Sequence, residues 1–426
     1  MTFRSPRSLR DDLALGGRIT AMRLGGLALA LRGDPVARLM HKPWRLDPYP
    51  TYAAIRADGL ARSRVGLSAV GTHALCEQVL RDRRFGVRLA DGRPPFAPED
   101  AESSLLEPVD LSLLGMDPPD HTRLRRLAAP TFTPKRLESY RAVAEEITGR
   151  LLDDAAARGR FDLVRDLAAP LPITVIARLL AIPSVDADRF ARWGRALATA
   201  LDGVRSVAHA HELARTTGEA RELFTDLVDR RRADPGDDLV SQLVGALDAG
   251  QMSLDELVSL AQLLLVAGFE TTTNLVGNAV RAMQATPGQW EALVADPSLA
   301  TGAVEETLRY DPPVQLTARI AHEDTELAGV PFRRDWGVLV LIAAAGRDPA
   351  AHPDPDRFDL HRVPTTPHLA FSGGAHYCLG AALARLEGEV ALRMLAERVP
   401  GLRRAGRVVP KTATILRGPR SFPVAA

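Results

Sequence analysis

Cysteine and lysine are the scarcest informative residues of this chain. Among its 426 residues, Cys76 and Cys378 are the only cysteines, which excludes a disulfide framework and a metal cluster built from cysteine alone. Free thiols in such low number are typical of a reducing compartment and predict a cytoplasmic location. Lys42, Lys135 and Lys411 are the only lysines, so arginine supplies nearly all of the positive charge.

Long apolar runs and a net charge of either sign are also missing. No run approaches the ~20 residues that a membrane span needs, and Glu270 interrupts the longest one, near residues 263–269. Asp11, Asp12 and Arg18 interrupt any secretory pattern at the start. The formal net charge of +1 argues against a function as a nucleic-acid-binding protein that relies on overall positive charge. Hydrophobic residues at 46% predict an ordinary globular protein.

The chain divides into a basic arm and one larger body. Residues 1–42 carry eight Lys/Arg against three acids, with an apolar patch at 24–31. This arm is either solvated or a surface helix that touches a membrane or a partner weakly. Residues 43–426 contain no repeat or linker and read mostly as amphipathic helix, with β-like runs at 64–68, 318–332, 338–342 and 412–416. We therefore expect a single mainly α domain with a small β-rich part (α+β).

The segment 371–387 places a cysteine at the start of a helix. Apolar residues at 379, 383, 386, 390 and 394 form one helical face, so Cys378 lies at the helix N-terminus, where partial positive charge stabilises a thiolate. Glycines flank it and let the backbone approach a flat partner. A buried structural thiol is the alternative, and a zinc site lacks a C-x-x-C pair.

Residues 371–380 together resemble the haem-binding loop of the cytochrome P-450 family. Phe371, the second glycine, His376, Cys378 and Gly380 are all in register, and Ser372 stands where a glycine is usual. The resemblance implies haem b, with Cys378 as the iron ligand and Phe371 and Gly380 beside the cofactor.

A long helix is predicted over residues 253–285. Ser253 and Glu256 form a capping box, and no proline follows until residue 287, which gives a helix of ~45 Å. Its apolar middle contains Gly268 and Glu270, both unfavourable there. They serve either close packing and a surface contact, or an acid–alcohol pair that delivers protons. Residues 267–272 resemble the family's oxygen-activation motif, which implies that Thr271 hydrogen-bonds dioxygen, Glu270 connects it to solvent and Gly268 leaves room.

A second pair sits on the helix that ends at Tyr310. Glu306 and Arg309 are three residues apart and share a face, which in isolation is typical of a solvated pair. They resemble the family's Glu-x-x-Arg pair, which implies a buried ion network beside the haem. Its third member is Arg357 or Arg362, and the sequence leaves both open.

Several basic residues match the family's haem edge. His121 and Arg125 are four apart on a helix that follows a proline pair, and in isolation they would be an exposed basic face. The resemblance implies that His121, Arg125, Arg319 and His376 bind the haem propionates. A docking patch for an acidic electron-transfer protein is predicted from Arg123, Arg126, Arg136 and Arg385.

The resemblance covers nearly the whole chain except the arm, and it is nearest to the soluble bacterial class. It implies a triangular single domain with the haem between the long central helix and the Cys-loop helix. The substrate pocket is expected from segments 85–114 and 183–207, from Leu264 and Ala267, and from Val314, Gln315 and Leu316. Their apolar character predicts a hydrophobic small-molecule substrate.

The implied activity is a monooxygenase (oxidoreductase) that inserts one oxygen atom from dioxygen, by hydroxylation or epoxidation, in the tailoring of a natural product. Electrons would come from a separate ferredoxin and ferredoxin reductase. Two alternatives stay open: a peroxygenase that uses hydrogen peroxide, and a haem-thiolate sensor or binder without catalysis.

Overall fold

Helices form most of the chain. The computed structural model describes residues 9–95, 111–183 and 187–426. The helices are α1 Leu9–Leu31, α2 Pro35–Met40, α3 Tyr49–Asp58, α4 His73–Arg81, α5 Asp120–Ala128, α6 Pro134–Ala157, α7 Pro170–Leu179, α8 Ala187–Ala200, α9 Val207–Ala233, α10 Leu239–Asp248, α11 Leu254–Ala285, α12 Gln289–Ala295, α13 Ala300–Tyr310, α14 Ile342–Ala345 and α15 Ala381–Arg398.

Short strands form small sheets beside the helices. They are β1 Leu60–Arg62, β2 Leu67–Val70, β3 Phe85–Gly86, β4 Arg160–Asp162, β5 Thr317–Ala321, β6 Thr325–Leu327, β7 Val330–Phe332, β8 Gly337–Val340, β9 Arg403–Arg404, β10 Val409–Pro410, β11 Pro419–Ser421 and β12 Pro423–Ala425. The largest sheet has the order β1-β2-β8-β5-β3, in which only β2 and β8 are parallel. The mainly α fold with a small β-rich part is confirmed.

Helix α11 runs through the largest core cluster and contacts α7, α8, α13 and α15. Ser253 caps it, with the side chain of Glu256 returning to the Ser253 backbone, so the predicted capping box is present. Close packing is visible at Gly194 on α8, where an added Cβ would overlap the Phe269 ring. The buried helix therefore fixes where residues 267–272 can lie.

The prediction of a strand at 412–416 is wrong. The residues there form one isolated bridge, Val314 to Leu416, while the strands β10 and β11 lie on either side. The backbone N–H groups of Thr414 and Ile415 donate instead to the Asp202 carboxylate, at 2.7 and 2.9 Å. A side chain from the α8–α9 connection thus replaces the partner strand that the pattern predicted.

The N-terminal arm is helical, and its second helix belongs to the packed body. Most of α1 is exposed, whereas Val36 and Leu39 of α2 are buried in one cluster with Tyr52 and Ile55 of α3. The boundary predicted at residue 43 therefore falls after the first packed helix. No helix among the described residues combines the length and apolar character that crossing a membrane requires.

Asp311 joins distant parts of the chain at the end of α13. Its buried carboxylate accepts from Tyr49 Oη at 2.7 Å and from Arg417 Nε at 3.2 Å, and it also pairs with Arg281 of α11. The Asp311 carboxylate therefore connects residues near both ends of the chain with the central helix α11.

Candidate active site

A cavity of about 310 Å³ lies between α11 and the Cys378 loop. The residues at its wall come from many separate parts of the chain, between Val87 and Glu387, so the fold and not one motif creates it. The predicted site residues at the wall are Leu264, Ala267, Gly268, Thr271, His121, Arg125, Val314, Arg319, Phe371, His376, Cys378 and Gly380.

The loop before α15 holds Cys378 at the cavity by backbone contacts. The Cys378 N–H donates to the Phe371 carbonyl at 2.9 Å, and the Gly380 N–H donates to the thiol. Gly374 has φ of +63°, and an added Cβ there would lie 2.5 Å from the Leu80 carbonyl oxygen, so no other residue fits without a shift. The loop's glycine pattern is thus a packing requirement as well as a sequence motif.

Burial opposes the thiolate that the sequence predicted at the helix start. It raises the pKa of the Cys378 thiol, while the Gly380 N–H and the nearby Arg125 and Arg385 act in the opposite direction. Helix α15 begins at Ala381, three residues after the cysteine. The helix N-terminus is therefore one contribution among several, and a bound cation would be needed to make the ionised sulfur dominant.

Cationic side chains gather at one edge of the cavity. The His121 and His376 rings lie with centroids 4.4 Å apart, and burial together with His376 and Arg125 lowers the pKa of His121 to about 4. Arg319 is 3% exposed, and burial lowers its pKa to about 10, with Asp117 as the one acid that favours its charge. Arg125 and Arg319 carry positive charge here, whereas His121 with its lowered pKa is neutral and offers a ring N–H, and such a group of donors favours an anionic ligand at this edge.

Two further observations test whether a haem fits here. The buried His376 Nε2 makes no hydrogen bond with a described residue and lies 3.7 Å from Asp117 Oδ1, so this ring can still turn toward an anion in the cavity. At Gly380, an added Cβ would meet no protein atom within 4 Å although the residue lines the cavity, which leaves space for a flat ring. Together with Arg125, Arg319, His121 and Cys378, the residues present fit a haem with two propionates.

Ser372, the departure from the family pattern, has a backbone reason. Its φ is +62°, in the left-handed region that favours glycine. Its hydroxyl accepts a long contact of 3.4 Å from Arg319 Nη2. The serine therefore gives the buried arginine a partner that glycine would not supply.

On the opposite wall, α11 presents small residues to the cavity. Ala267, Gly268 and Thr271 line it, and the Thr271 hydroxyl donates to the Ala267 carbonyl at 2.8 Å. An added Cβ at Gly268 would lie 3.0 Å from Ile176 of α7, so close helix packing is one reason for the glycine. The same residue leaves the cavity open beside Thr271.

Glu270, the acid predicted to act with Thr271, is tied to another part of the molecule. It does not line the cavity; its Oε1 lies 2.5 Å from Lys411 Nζ, which also donates to Asn274 Oδ1 at 2.7 Å. Glu270 is 6% exposed, so the lysine balances a buried charge. The sequence analysis predicted no role for Lys411, although its being one of only three lysines in the chain set it apart.

A second carboxyl, which the sequence reasoning also missed, does line the cavity. Glu387 on α15 is 1% exposed and lies beside Thr272 of α11. Burial raises the pKa of Glu387 to about 8, against the influence of the Thr272 hydroxyl. Glu387 therefore holds a proton at neutral pH. The signal in the sequence was the position of this acid at the edge of the apolar face of the helix predicted after Cys378, because burying a carboxyl there is costly.

The predicted Glu306–Arg309 pair is buried and extensive. Arg309 Nε and Nη2 donate to the two Glu306 oxygens at 2.8 and 2.7 Å, and its Nη1 donates to two backbone carbonyls at 2.7 Å. Arg362 is the third side chain, 3.1 Å from Glu306, while Arg357 contributes its carbonyl. The alternative that the sequence left open is thus resolved in favour of Arg362.

Two residues predicted for the substrate pocket lie elsewhere. Gln315 is buried and donates through Nε2 to the Pro312 carbonyl at 2.7 Å, and Leu316 packs in the cluster around α3. Val314 alone of this triplet lines the cavity, and Thr317 and Arg319, two positions apart on β5, line it from one face of that strand. Parts of the predicted segments 85–114 and 183–207, namely 96–110 and 184–186, lie outside the described residues.

The arginines predicted to dock a redox partner are mostly paired within the chain. Arg123 contacts Glu256 at 2.5 Å, Arg136 contacts Asp237 at 2.6 Å and Arg385 contacts Glu305 at 2.6 Å. Arg126 is exposed and forms no ion pair with the described residues. The net positive potential of this group is therefore smaller than the sequence suggests.

Taken together, a partly buried cysteine opposite a central helix, with basic side chains at the edge between them, fits a haem-thiolate site. A family model described as "Cytochrome P450" matches residues 289–398. The "Putative cytochrome P450 140" of Mycobacterium tuberculosis (strain ATCC 25618 / H37Rv) is 40% identical over 97% of this chain and 96% of its own length. "Mycinamicin IV hydroxylase/epoxidase" of Micromonospora griseorubida is 43% identical over 79% of this chain and 86% of its own.

Solved structures agree with the sequence comparisons. The crystal structure of CalO2 superposes with a TM-score of 0.85 at 36% identity, over 91% of this chain and 97% of that one. The chain belongs to the cytochrome P-450 family, and it is a haem b protein and an oxidoreductase of the monooxygenase type.

Proposed function

We propose that this chain uses dioxygen to hydroxylate or epoxidise a hydrophobic small molecule as a natural-product tailoring step. The observation that carries the proposal is the cavity of about 310 Å³ between Cys378 and α11. Cys378 would ligate the haem iron, and His121, Arg125, Arg319 and His376 would bind the propionates. The haem, when bound, supplies the oxidation chemistry, and the protein supplies the pocket, the orientation and the protons.

The substrate is expected to be neutral and apolar. Away from the cationic edge, the wall is formed by side chains such as Val87, Leu113, Leu264, Val314 and Ile342. Glu387 is the one acid at the wall among the described residues, and at neutral pH it is protonated. A hydrophobic wall binds a substrate by removing apolar surface from water, and it disfavours a charged substrate because burying a charge is costly. The printed activity of the mycinamicin relative supports a substrate of the natural-product kind.

Proton supply is assigned to residues on both sides of the cavity. Thr271 offers a hydroxyl at the wall that can exchange its bond to Ala267 for one to a ligand. Glu270 would connect this hydroxyl to solvent only after its contact with Lys411 loosens. Glu387 and Thr272 provide a second protonated group at the same wall. Proton delivery through Glu270 would thus require its contact with Lys411 to open. Delivery through Glu387 and Thr272, which already line the cavity, would not require such a motion.

Electrons are expected from a separate ferredoxin and its reductase, in the cytoplasm. Arg126 is the arginine of the predicted patch that is free to meet an acidic partner.

The test begins with the absorption spectrum of the reduced protein with carbon monoxide. We expect a strongly red-shifted Soret band in the wild type and its loss in Cys378→Ser. Cys76→Ser is the matched control, because Cys76 is buried far from the cavity wall and is not expected to change the band. A band typical of histidine ligation in folded wild-type protein would contradict the proposal.

Turnover then separates the alternatives. Product formation from an apolar substrate with NADPH, ferredoxin, reductase and dioxygen supports the monooxygenase. Product with hydrogen peroxide alone would identify a peroxygenase. A normal band with ligand-induced spectral shifts but no product in either assay would identify a binder or sensor.

A further inference from the structure

A line of exposed leucines runs along α1. Leu9, Leu13, Leu24 and Leu31 are 77%, 69%, 64% and 68% exposed, and Leu27 is 37% exposed. At about 100° per residue these positions fall within one narrow arc of the helix. We call these five residues the leucine stripe. Single exposed leucines are common, but an aligned set along one helix marks an interaction surface.

The leucine stripe is not the face by which α1 attaches to the body. Ile19 and Ala30 are the buried residues of α1, and an added Cβ at Gly16 would lie 3.6 Å from Val207 of α9. His41 Nε2 contacts the Arg23 carbonyl at 3.2 Å. These positions lie roughly a quarter-turn away from the stripe on the helical wheel. Helix α1 is therefore already packed against the body through a different face, and the leucine stripe faces solvent beside that contact.

Unpaired positive charge borders the stripe. Arg10 and Arg32 directly follow Leu9 and Leu31, and they are exposed and form no ion pair with any described residue. At the foot of the arm, burial and the positive charges of Arg205 and Arg23 lower the pKa of Arg45. The buried Arg45 Nε has no partner among the described residues. Positive charge accumulates here although the chain as a whole is nearly neutral.

We propose that α1 binds an anionic membrane surface, with the leucine stripe among the acyl chains and the flanking arginines at the phosphate headgroups. A helix that lies in the interface needs an apolar face bordered by basic side chains, and long arginine side chains can reach the headgroups from that border. A second copy is disfavoured as occupant, because pairing two stripes would bring the arginines Arg10 and Arg32 of both helices together. This binding surface is independent of the proposed reaction.

Vesicle flotation of the full-length haem-loaded protein tests the proposal. Vesicles of phosphatidylcholine alone are compared with vesicles that contain about one quarter phosphatidylglycerol. We expect binding to the anionic vesicles that weakens at about 0.5 M NaCl. The triple variant Leu13→Gln/Leu24→Gln/Leu31→Gln should lower the vesicle partition coefficient at least tenfold. Arg10→Gln/Arg32→Gln should remove the preference for phosphatidylglycerol.

The controls separate surface chemistry from folding. Val363→Gln removes a side chain that is 84% exposed on another part of the molecule, and it should float as the wild type does. The carbon monoxide spectrum of each variant reports whether the fold and haem site persist. Absence of binding, equal binding to both vesicle types, or an unchanged triple leucine variant would overturn the proposal. So would a concentration-dependent dimer in sedimentation velocity that the triple leucine variant abolishes.

Discussion

The two walls of the cavity are built in different ways. The Cys378 wall comes from one contiguous stretch, in which backbone contacts and glycine conformations hold the cysteine in place. The α11 wall combines a helix with side chains such as Leu113 and Val314, brought together from distant segments. A contiguous wall is a property of local sequence, whereas an assembled wall depends on the whole fold. The first can be conserved while the second varies with the substrate.

Charge is also distributed differently behind the two walls. Behind the Cys378 loop, the Glu306–Arg309 network is joined to four backbone positions and is nearly inaccessible to water. Behind α11, Glu270 has one charged partner, Lys411, whose side chain is 15% exposed. The first arrangement favours rigidity, and the second can open at a smaller cost.

The largest effect is expected from breaking the buried network. Glu306→Ala leaves Arg309 uncompensated in the core and should cost about 3–5 kcal/mol, with loss of haem-loaded protein. Arg362→Ala should have a smaller effect of the same sign. Arg357→Ala is the matched control, because its side chain is 66% exposed and outside the network. Haem content after purification measures the outcome, and normal haem content in Glu306→Ala would contradict the comparison.

The pair behind α11 should give a smaller effect. Lys411→Met leaves Glu270 buried without a positive partner and is expected to destabilise the protein by about 2–3 kcal/mol. Adding Glu270→Gln should recover part of that loss, because the uncompensated charge is then absent. Denaturant unfolding of both single variants and the double variant gives the interaction energy. Additive effects would show that the contact does not stabilise the fold.

A pH experiment sharpens the comparison at the cavity itself. Burial raises the pKa of Glu387 from 4.5 to about 8, so the folded protein keeps this proton over a range in which the unfolded chain loses it. The free energy of unfolding therefore falls as the pH rises from about 4.5 to about 8. Glu387→Gln cannot ionise and should gain about 4 kcal/mol over wild type at pH 8. The two unfolding midpoints should converge near pH 5. A pH-independent difference would indicate a packing effect instead.

The smallest expected effect concerns Ser372. Ser372→Gly relieves a left-handed backbone conformation, worth up to about 1 kcal/mol, but removes the hydroxyl beside Arg319. We expect a change in unfolding free energy within about 1 kcal/mol. Ser372→Ala keeps the strain and removes only the hydroxyl, so it should be the less stable of the two variants. Chemical denaturation of both variants measures the difference.

The sequence predicted the local features well and the long-range pairings poorly. The capping box of α11, the register of the Cys378 loop and the burial of Glu306 and Arg309 follow from spacing within short segments. Lys411 meets Glu270 across 141 positions, and Gln315 turns away from the cavity because of contacts made at residue 312. Such pairings depend on loop paths, which periodicity and composition do not determine.

The hub at Asp311 constrains the order in which the molecule can be completed. Its partners Tyr49 and Arg417 lie on opposite sides of the chain's midpoint, and strand β12 pairs with β4 across more than half of the sequence. During synthesis, the central helix emerges long before Arg417 and β12 do. The buried carboxylate then has Tyr49 and Arg281 as partners but lacks Arg417 until the last segments appear, so a chain that stops short of them presents an unfinished core to proteases and chaperones.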